Sequence, residues 1–402
     1  MKLGPRGDCH LTYCTNIHPG ETWPEVRAIL QRYLPEVKRD IAPDRDLGVG
    51  LRLSGVAAYA LQQRANFEEL CALLRTSGLY VFTINGFPYG TFHGRRVKEE
   101  VYLPDWQDDE RLHYTNVLAD LLVPLLPDNR EIEGSISTVP GAFKSRASSP
   151  AARTRIVQQL LRHVAHLVHL KEQSGRTIAL ALEPEPCCLL ETVDETIEFF
   201  EQHLFALAAV RELAALTGLH VNAAEEALRR HLGVCLDLCH AAVEFEDPET
   251  VVSRLQGKDI RIVKMQISAG LRVAEVSNNT EQLLKPFDDE VYLHQVIERT
   301  GSQFTRYIDL SDAFAELANG KAAGEWRIHF HVPIFLEDLG EFSSTQAFIR
   351  TILKQHRARP ISPHLEVETY TWSVLPERYR QEDIVPAIGR ELQWVRSQLE
   401  DA

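Results

Sequence analysis

Four short segments of this sequence end on groups that bind metals or move protons. They read Leu182-Glu183, Leu236-Asp237-Leu238-Cys239-His240, His329-Phe330-His331 and Leu365-Glu366-Val367-Glu368. Glu183 closes an apolar run that begins at Ile178, and Pro184-Glu185-Pro186 then stops the strand and stiffens the loop. Asp237 follows another apolar run, with His240 three residues on, so a turn at Leu238 lets both side chains reach one site. A lone Asp there would also serve as the N-cap of the next helix. His329 and His331 project the same way from an extended segment, roughly 6–7 Å apart, and can bind one metal or neighbouring metals. Glu366 and Glu368 share a strand face, with Glu368 at the strand end and Glu366 one layer deeper. Carboxylate and imidazole together suit Mn, Zn, Fe or Co better than Ca.

These segments are far apart in sequence, so the fold must gather strand ends onto one face. Candidate strands are His10–Cys14, Val49–Leu53, Leu79–Asn85, Gly134–Val139, Ile178–Glu183, Gly233–Leu238, Ile260–Ile267 and Leu365–Thr369. Helical patterns lie between them: Thr22 to Lys38, Ser149 to Ser174 with Gly175 as its stop, Ser343 to His356, and Gln381 to Leu399. Alternating strands and helices predict βα units on a parallel sheet, and eight strands is the number that closes a (β/α)8 TIM barrel. A doubly wound open sheet is the rival, but Cys14-Thr15-Asn16-Ile17-His18-Pro19-Gly20 after the first strand is not GxGxxG. The insertions Gly86 to Asp109 and Ser268 to Trp326 both follow strands, so both belong on the C-terminal face where barrel enzymes build their sites. The second holds two short helical patterns. No linker or repeat divides the chain, so residues 1–402 are taken as one domain, with a C-terminal helix over about 376–402.

Within the seventh strand, Lys264, Gln266 and Ser268 share one face. Polar residues in an apolar strand are costly unless paired, which turns them toward the barrel mouth. Gln266 is a neutral metal ligand or a substrate hydrogen-bonder, and Lys264, Asn85, Tyr89 and His93 are candidate substrate contacts. His163, His166 and His169 recur along one helix, but an outer helix lies far from the mouth, and a helix surface is their expected place.

The composition narrows the function classes. Of 402 residues, 44% are hydrophobic, and the net charge of −14 disfavours nucleic acid as a partner. The densest basic stretch, Lys144 to Arg155, reads as a solvated helix start. None of the seven cysteines falls in a CxxC pair, which excludes a zinc ribbon and points to core thiols in a reducing, cytoplasmic compartment. No secretory signal begins the sequence and no run of about 18 apolar residues spans a membrane.

With these residues assembled, the chain resembles the xylose-isomerase-like barrel superfamily of sugar epimerases and endonuclease IV. That plan has Glu ending strand five, Asp-x-x-His ending strand six, a ligand ending strand seven and Glu ending strand eight. Glu183, Asp237 with His240, and Glu368 match three of those places. The seventh-strand ligand is usually His and here is Gln266, a departure for which His329 and His331 can compensate. A closer resemblance is to the EboE family of the Ebo metabolite-traffic cluster. It is carried by His10 to Trp23, Asn85-Gly86-Phe87-Pro88-Tyr89-Gly90 with His93, Gly134 to Gly141, and His329 to Phe335. That family is linked to moving or maturing secondary metabolites, and the resemblance implies other Ebo-cluster proteins as partners.

The expected protein is therefore a divalent-metal-dependent isomerase or epimerase acting on a small polyhydroxylated metabolite, as a monomer or an oligomer. Its metal ligands would be Glu183, Asp237, Gln266, His329, His331 and Glu368, with Glu366 as alternate, and its catalytic groups Glu183, Glu368 and His240. A metal-dependent phosphoester hydrolase of the endonuclease IV type, acting on a small phosphorylated metabolite, is the second reading. A non-catalytic metabolite carrier is the third.

Overall fold

The computed structural model describes residues 1–3, 9–94, 96–128, 132–380 and 382–400. The strands are β1 (Lys2–Leu3), β2 (Cys9–Tyr13), β3 (Leu47–Arg52), β4 (Leu79–Asn85), β5 (Gly134–Thr138), β6 (Ile178–Leu182), β7 (Leu232–Asp237) and β8 (Ile262–Ile267). After them come β9 (Ala269–Val273), β10 (Val296–Thr300), β11 (Gln303–Tyr307), β12 (Glu325–Val332), β13 (Ser343–Ser344) and β14 (His364–Val367). One nine-stranded sheet has the order β1-β2-β14-β8-β7-β6-β5-β4-β3. From β2 round to β3 every neighbouring pair is parallel. A parallel bridge from Cys14 to Gly50 joins the two ends, so the sheet is a nearly closed barrel.

The parallel strands are apolar runs buried along their length, as in Ile178–Leu182, because helices cover the outside and packed side chains fill the inside. Helix Trp23–Ile41 starts at a Thr22/Glu25 capping box with Pro24 in its first turn, and Pro150–Ser174 starts under a Ser149 cap and ends at left-handed Gly175 (φ 73°). His163 on that second helix is buried, bonded to Asn116 at 2.6 Å and packed on Trp106, rather than at the helix surface. Gly50 faces the interior: a Cβ there would lie 2.2 Å from Glu366 Oε2, so the missing side chain makes room for the carboxylate.

All eight expected barrel strands form, with ends shifted by at most two residues. The layout is not one helix per strand. Two helices, Gly55–Leu61 and Arg64–Thr76, follow β3, and three α-helices separate β6 from β7. Between β8 and β14 lies a second, five-stranded antiparallel sheet, β11-β10-β12-β9-β13, where the sequence suggested only two short helices. His329 and His331 lie on its strand β12, not on a barrel strand. This sheet is clasped to the barrel by Arg306, whose guanidinium meets Glu244 at 2.6 Å and Glu191 at 3.3 Å. The last helix is Ile384–Leu399; Gln381, the expected start, lies outside the described residues. Among the described residues no helix is long and apolar enough to cross a membrane.

Candidate metal centre

The ends of β6, β7 and β14 place Glu183, Asp237 and Glu368 together. One carboxylate oxygen from each lies within 4.8 Å of the other two, and all three residues are buried. Burial raises the Glu183 carboxyl well above its usual range, and Glu368 and Asp237 add to the effect. Burial likewise raises Glu368, reinforced by Asp237 and Glu366.

Asp237 is the N-cap of the helix that follows it and lies beside the other two carboxylates. Its Oδ1 caps helix Leu238–Val243 by accepting the His240 N–H (3.0 Å) and also accepts the Ser268 hydroxyl (2.7 Å). Its Oδ2 is buried without a partner, as is Glu183 Oε2. Glu368 is held by two amides donating to the same oxygen, Asn16 at 2.8 Å and Asn85 at 3.0 Å. That leaves Glu368 Oε2 free of them.

Three imidazoles stand beside the carboxylates. His240 Nδ1 meets the Pro184 carbonyl at 2.9 Å, and His331 Nδ1 meets the Glu368 carbonyl at 2.8 Å. His329 Nδ1 meets Gln295 Oε1 at 2.7 Å, an assignment fixed because Gln295 Nε2 donates to the Pro186 carbonyl and to the Tyr102 hydroxyl. Carbonyl oxygens only accept, so each ring carries its proton on Nδ1 and turns its Nε2 lone pair inward. His240 Nε2 and His329 Nε2 are 3.0 Å apart, and His331 Nε2 is buried with no partner. Burial holds His329 well below the usual imidazole range, and His240 and His331 lower it further. Burial also lowers His331, to about 4. This contact brings two ring nitrogens to one point, where both are placed to serve a cation beside them. The donor set therefore fits a divalent transition metal: orphaned carboxylate oxygens, neutral imidazoles, and a carbonyl or amide oxygen fixing each ring from behind.

The remaining candidates lie elsewhere. Glu366 sits a layer deeper, paired with Lys264 at 2.8 Å. Burial works against the Lys264 ammonium, but Glu366 beside it outweighs this and holds its pKa above the ordinary value. Lys264 is thus committed beneath the floor and does not line the cavity. Gln266 pairs in register with Asp237 and Glu366, and its Oε1 accepts the Cys235 thiol at 3.1 Å while its Nε2 is unpartnered. Tyr89 donates to Glu110 at 2.6 Å, away from the centre. His93 is tied between Asn16 and Tyr292 behind the cavity wall. Asn85 does line the cavity, but its amide holds Glu368.

Asn16, Glu185, Ser268 and Tyr370 were not singled out from sequence as site residues. Glu185 accepts the Tyr102 hydroxyl at 2.7 Å and lies 3.6 Å from His329 Nδ1. Its signal was the second carboxylate in Glu183-Pro184-Glu185-Pro186, which also fits an ordinary turn. Asn16 is 352 positions from Glu368, and nothing local marks it.

No protein-family profile and no curated protein sequence matches the chain. Solved structures do. A xylose isomerase-like TIM barrel protein from Mycobacterium smegmatis in complex with magnesium is similar over 99% of this chain and 98% of its own, at 11% identity and a TM-score of 0.52. The probable 3-DHS dehydratase AsbF from Bacillus anthracis, involved in petrobactin synthesis, is similar over 96% and 97% at 14% identity, with a TM-score of 0.44. The IolI protein with a binding zinc atom is similar over 97% of each chain at 12% identity, with a TM-score of 0.42. At such identities the likeness to the Mycobacterium smegmatis protein shows the fold, a xylose-isomerase-like TIM barrel, and the fold alone.

Proposed function

We propose that this chain is a divalent-metal-dependent enzyme of isomerase or epimerase type, acting on a small hydroxylated metabolite. The observation that carries the reading is the convergence of Glu183, Asp237 and Glu368, three buried carboxylates with one oxygen each inside 4.8 Å, two of which, Glu183 and Asp237, also have an orphaned oxygen. Without a cation the charges of such a cluster repel one another unless a proton is retained. The ion would be Mn, Zn, Fe or Co, and when bound it would polarise a carbonyl and its neighbouring hydroxyl.

The chain's own groups then do the proton work. One of Glu183 and Glu368 takes the proton from the carbon beside the carbonyl, and the electron pair moves onto the carbonyl oxygen as an enediolate forms. The other returns a proton to the opposite face or to the neighbouring carbon. This division requires one carboxylate and one carboxylic acid, and burial with mutual charge raises both carboxyls above their usual range, the direction that favours a proton shared by the pair. His240 orients a substrate oxygen from the cavity wall. Resemblance to the EboE family supports a place in secondary-metabolite traffic or maturation within one barrel domain.

The test is elemental analysis of protein purified without chelators. Glu183→Ala and Asp237→Ala are expected to lose the bound ion; retention of the parent's metal content by both would reject the assignment.

One specific observation favours the hydrolase reading: Glu185, His240 and His329 each offer a ligand atom within 4.8 Å of the other two, a candidate second metal position. Two ions per chain in the parent and one in His329→Ala would favour phosphoester hydrolysis of a small phosphorylated metabolite. One ion in both would favour the isomerase.

A further inference from the structure

Above the carboxylate floor the cavity walls are largely apolar, with Phe87, Phe92, Val97, Val101, Tyr292 and Tyr370 among their residues. Phe92, Tyr292 and Tyr370 pack in a triangle, with ring centroids 5.1–5.2 Å apart. With Val101 against them they form a small cluster separate from the main core. These residues come from the insertion after β4, from the insertion after β8 and from the segment after β14, so three loops build one aromatic wall.

Apart from the Tyr370 hydroxyl, which stands 3.5 Å from His329 Nε2, the proton donors around that wall are spent on the protein. Tyr102 gives its proton to Glu185 Oε1 at 2.7 Å. His93 Nε2 donates to the Asn16 carbonyl at 2.6 Å, so its Nδ1 accepts the Tyr292 proton, also at 2.6 Å. Both asparagine amides hold Glu368, and Lys98 at the rim holds Asp309 at 2.7 Å. What is left uncommitted is a set of acceptors at the floor: Glu183 Oε2, Glu185 Oε2 and Asn16 Oδ1. An open-chain sugar places a hydroxyl on nearly every carbon, and each one buried against such walls without a partner costs affinity. A flat apolar body meets ring faces and edges instead, a contact that aromatic side chains favour.

Resting on the metal-dependent proton-transfer reading, we infer that the substrate carries its carbonyl and adjacent hydroxyl at one end of a planar apolar body, as in an aryl α-hydroxyketone. The oxygenated end meets the carboxylate floor, and the ring packs against the wall formed by Phe92, Val101, Tyr292 and Tyr370. The polyhydroxylated metabolite expected from sequence narrows to one hydroxylated only where it meets the floor.

The experiment is calorimetric titration of the Mn(II)-loaded protein with 2-hydroxy-1-phenylethanone, dihydroxyacetone and D-fructose, after Mn(II) binding itself has been titrated on the same preparation. The aryl ketol is expected to bind at least about ten-fold more tightly than either other compound. Val101→Thr, which keeps the shape of the wall and adds a hydroxyl, is expected to weaken the aryl ketol by about ten-fold and dihydroxyacetone by less than about two-fold. Phe92→Leu, which keeps apolar area but removes the ring, is expected to act in the same direction. Failure of Mn(II) to bind would overturn the proton-transfer reading. Normal Mn(II) binding with fructose held as tightly as the aryl ketol, with no compound bound, or with both variants unchanged, would overturn the substrate inference alone.

Discussion

Glu183 meets two opposing demands. To hold a cation it must lose its proton, yet burial and the charges of Glu368 and Asp237 favour keeping it. The cluster is therefore a local cost in the metal-free protein and an asset only when an ion is present. Glu183→Gln removes one of the repelling carboxylates without changing shape. In chelator this variant is expected to melt higher than the parent, by on the order of 2 °C. Its affinity for Mn(II) is expected to fall at least about ten-fold. The parent, by contrast, gains about 2.7 kcal/mol when free metal reaches one hundred times its dissociation constant. Scanning calorimetry with and without Mn(II) measures both effects. A Glu183→Gln variant that melts lower than the parent in chelator would mean that the carboxylate serves packing, not a metal.

At the scale of elements, the C-terminal helix Ile384–Leu399 braces the loops that carry the site. Glu391 projects from it, and its Oε1 accepts the Ile334 N–H at 3.1 Å and the Thr369 hydroxyl at 2.7 Å. These contacts fix the chain just beyond β12 and just beyond Glu368. Burial raises the Glu391 carboxyl from its ordinary value to about 7, although Thr369 and Ile334 pull it down. The folded state therefore binds this proton more tightly than the unfolded chain. The stability it contributes is complete below pH 4.5 and is lost as pH rises through about 7. Glu391→Gln keeps the acceptor and removes the titration. It is expected to be more stable than the parent above pH 8, by up to roughly 3 kcal/mol, and to match it at about pH 4. Denaturant unfolding at the two pH values checks this, and equal differences at both would sink it. The same element scale shows what the sequence could reveal. Ile178–Leu182 and Leu79–Asn85 were legible because strands buried on both faces are nearly continuous apolar runs. The antiparallel sheet was not, because Gln303–Tyr307 is mostly polar and exposed. Its one local signal was the two-residue turn Gly301-Ser302 between paired Thr300 and Gln303, with Gly301 at φ 63°. Glu183, Asp237 and Glu368 were legible because strand polarity alone puts strand-end carboxylates on one face. Of the partners that orient them, Ser268 was legible through its alternation with Lys264 and Gln266, whereas Asn16 reaches Glu368 through tertiary contact and left no such pattern.

At the scale of the whole molecule, the donor set is divided between two sheets. Glu183, Asp237 and Glu368 come from the barrel, whereas His329 and His331 come from the antiparallel sheet inserted between β8 and β14. That insertion is anchored through the Arg306 clasp, through Arg327 donating to the Ala242 carbonyl at 2.5 Å, and through Thr371 donating to the His331 carbonyl. None of these contacts involves the facing Nε2 lone pairs of His240 and His329, one ring from each body. A cation there would add a cross-link that the protein alone lacks, and the two bodies would then open together rather than separately. Hydrogen exchange is expected to show this. On adding Mn(II) or Zn(II), amides of β12 and of its neighbour β10 should gain protection together with the ends of β6, β7 and β14. In His329→Ala the gain in β10 and β12 should disappear while that at the barrel strand ends persists, because Glu183, Asp237 and Glu368 remain. Protection confined to the barrel in the parent would show that the imidazoles bind no ion, leaving the carboxylates as the whole centre and removing the structural basis for the hydrolase reading.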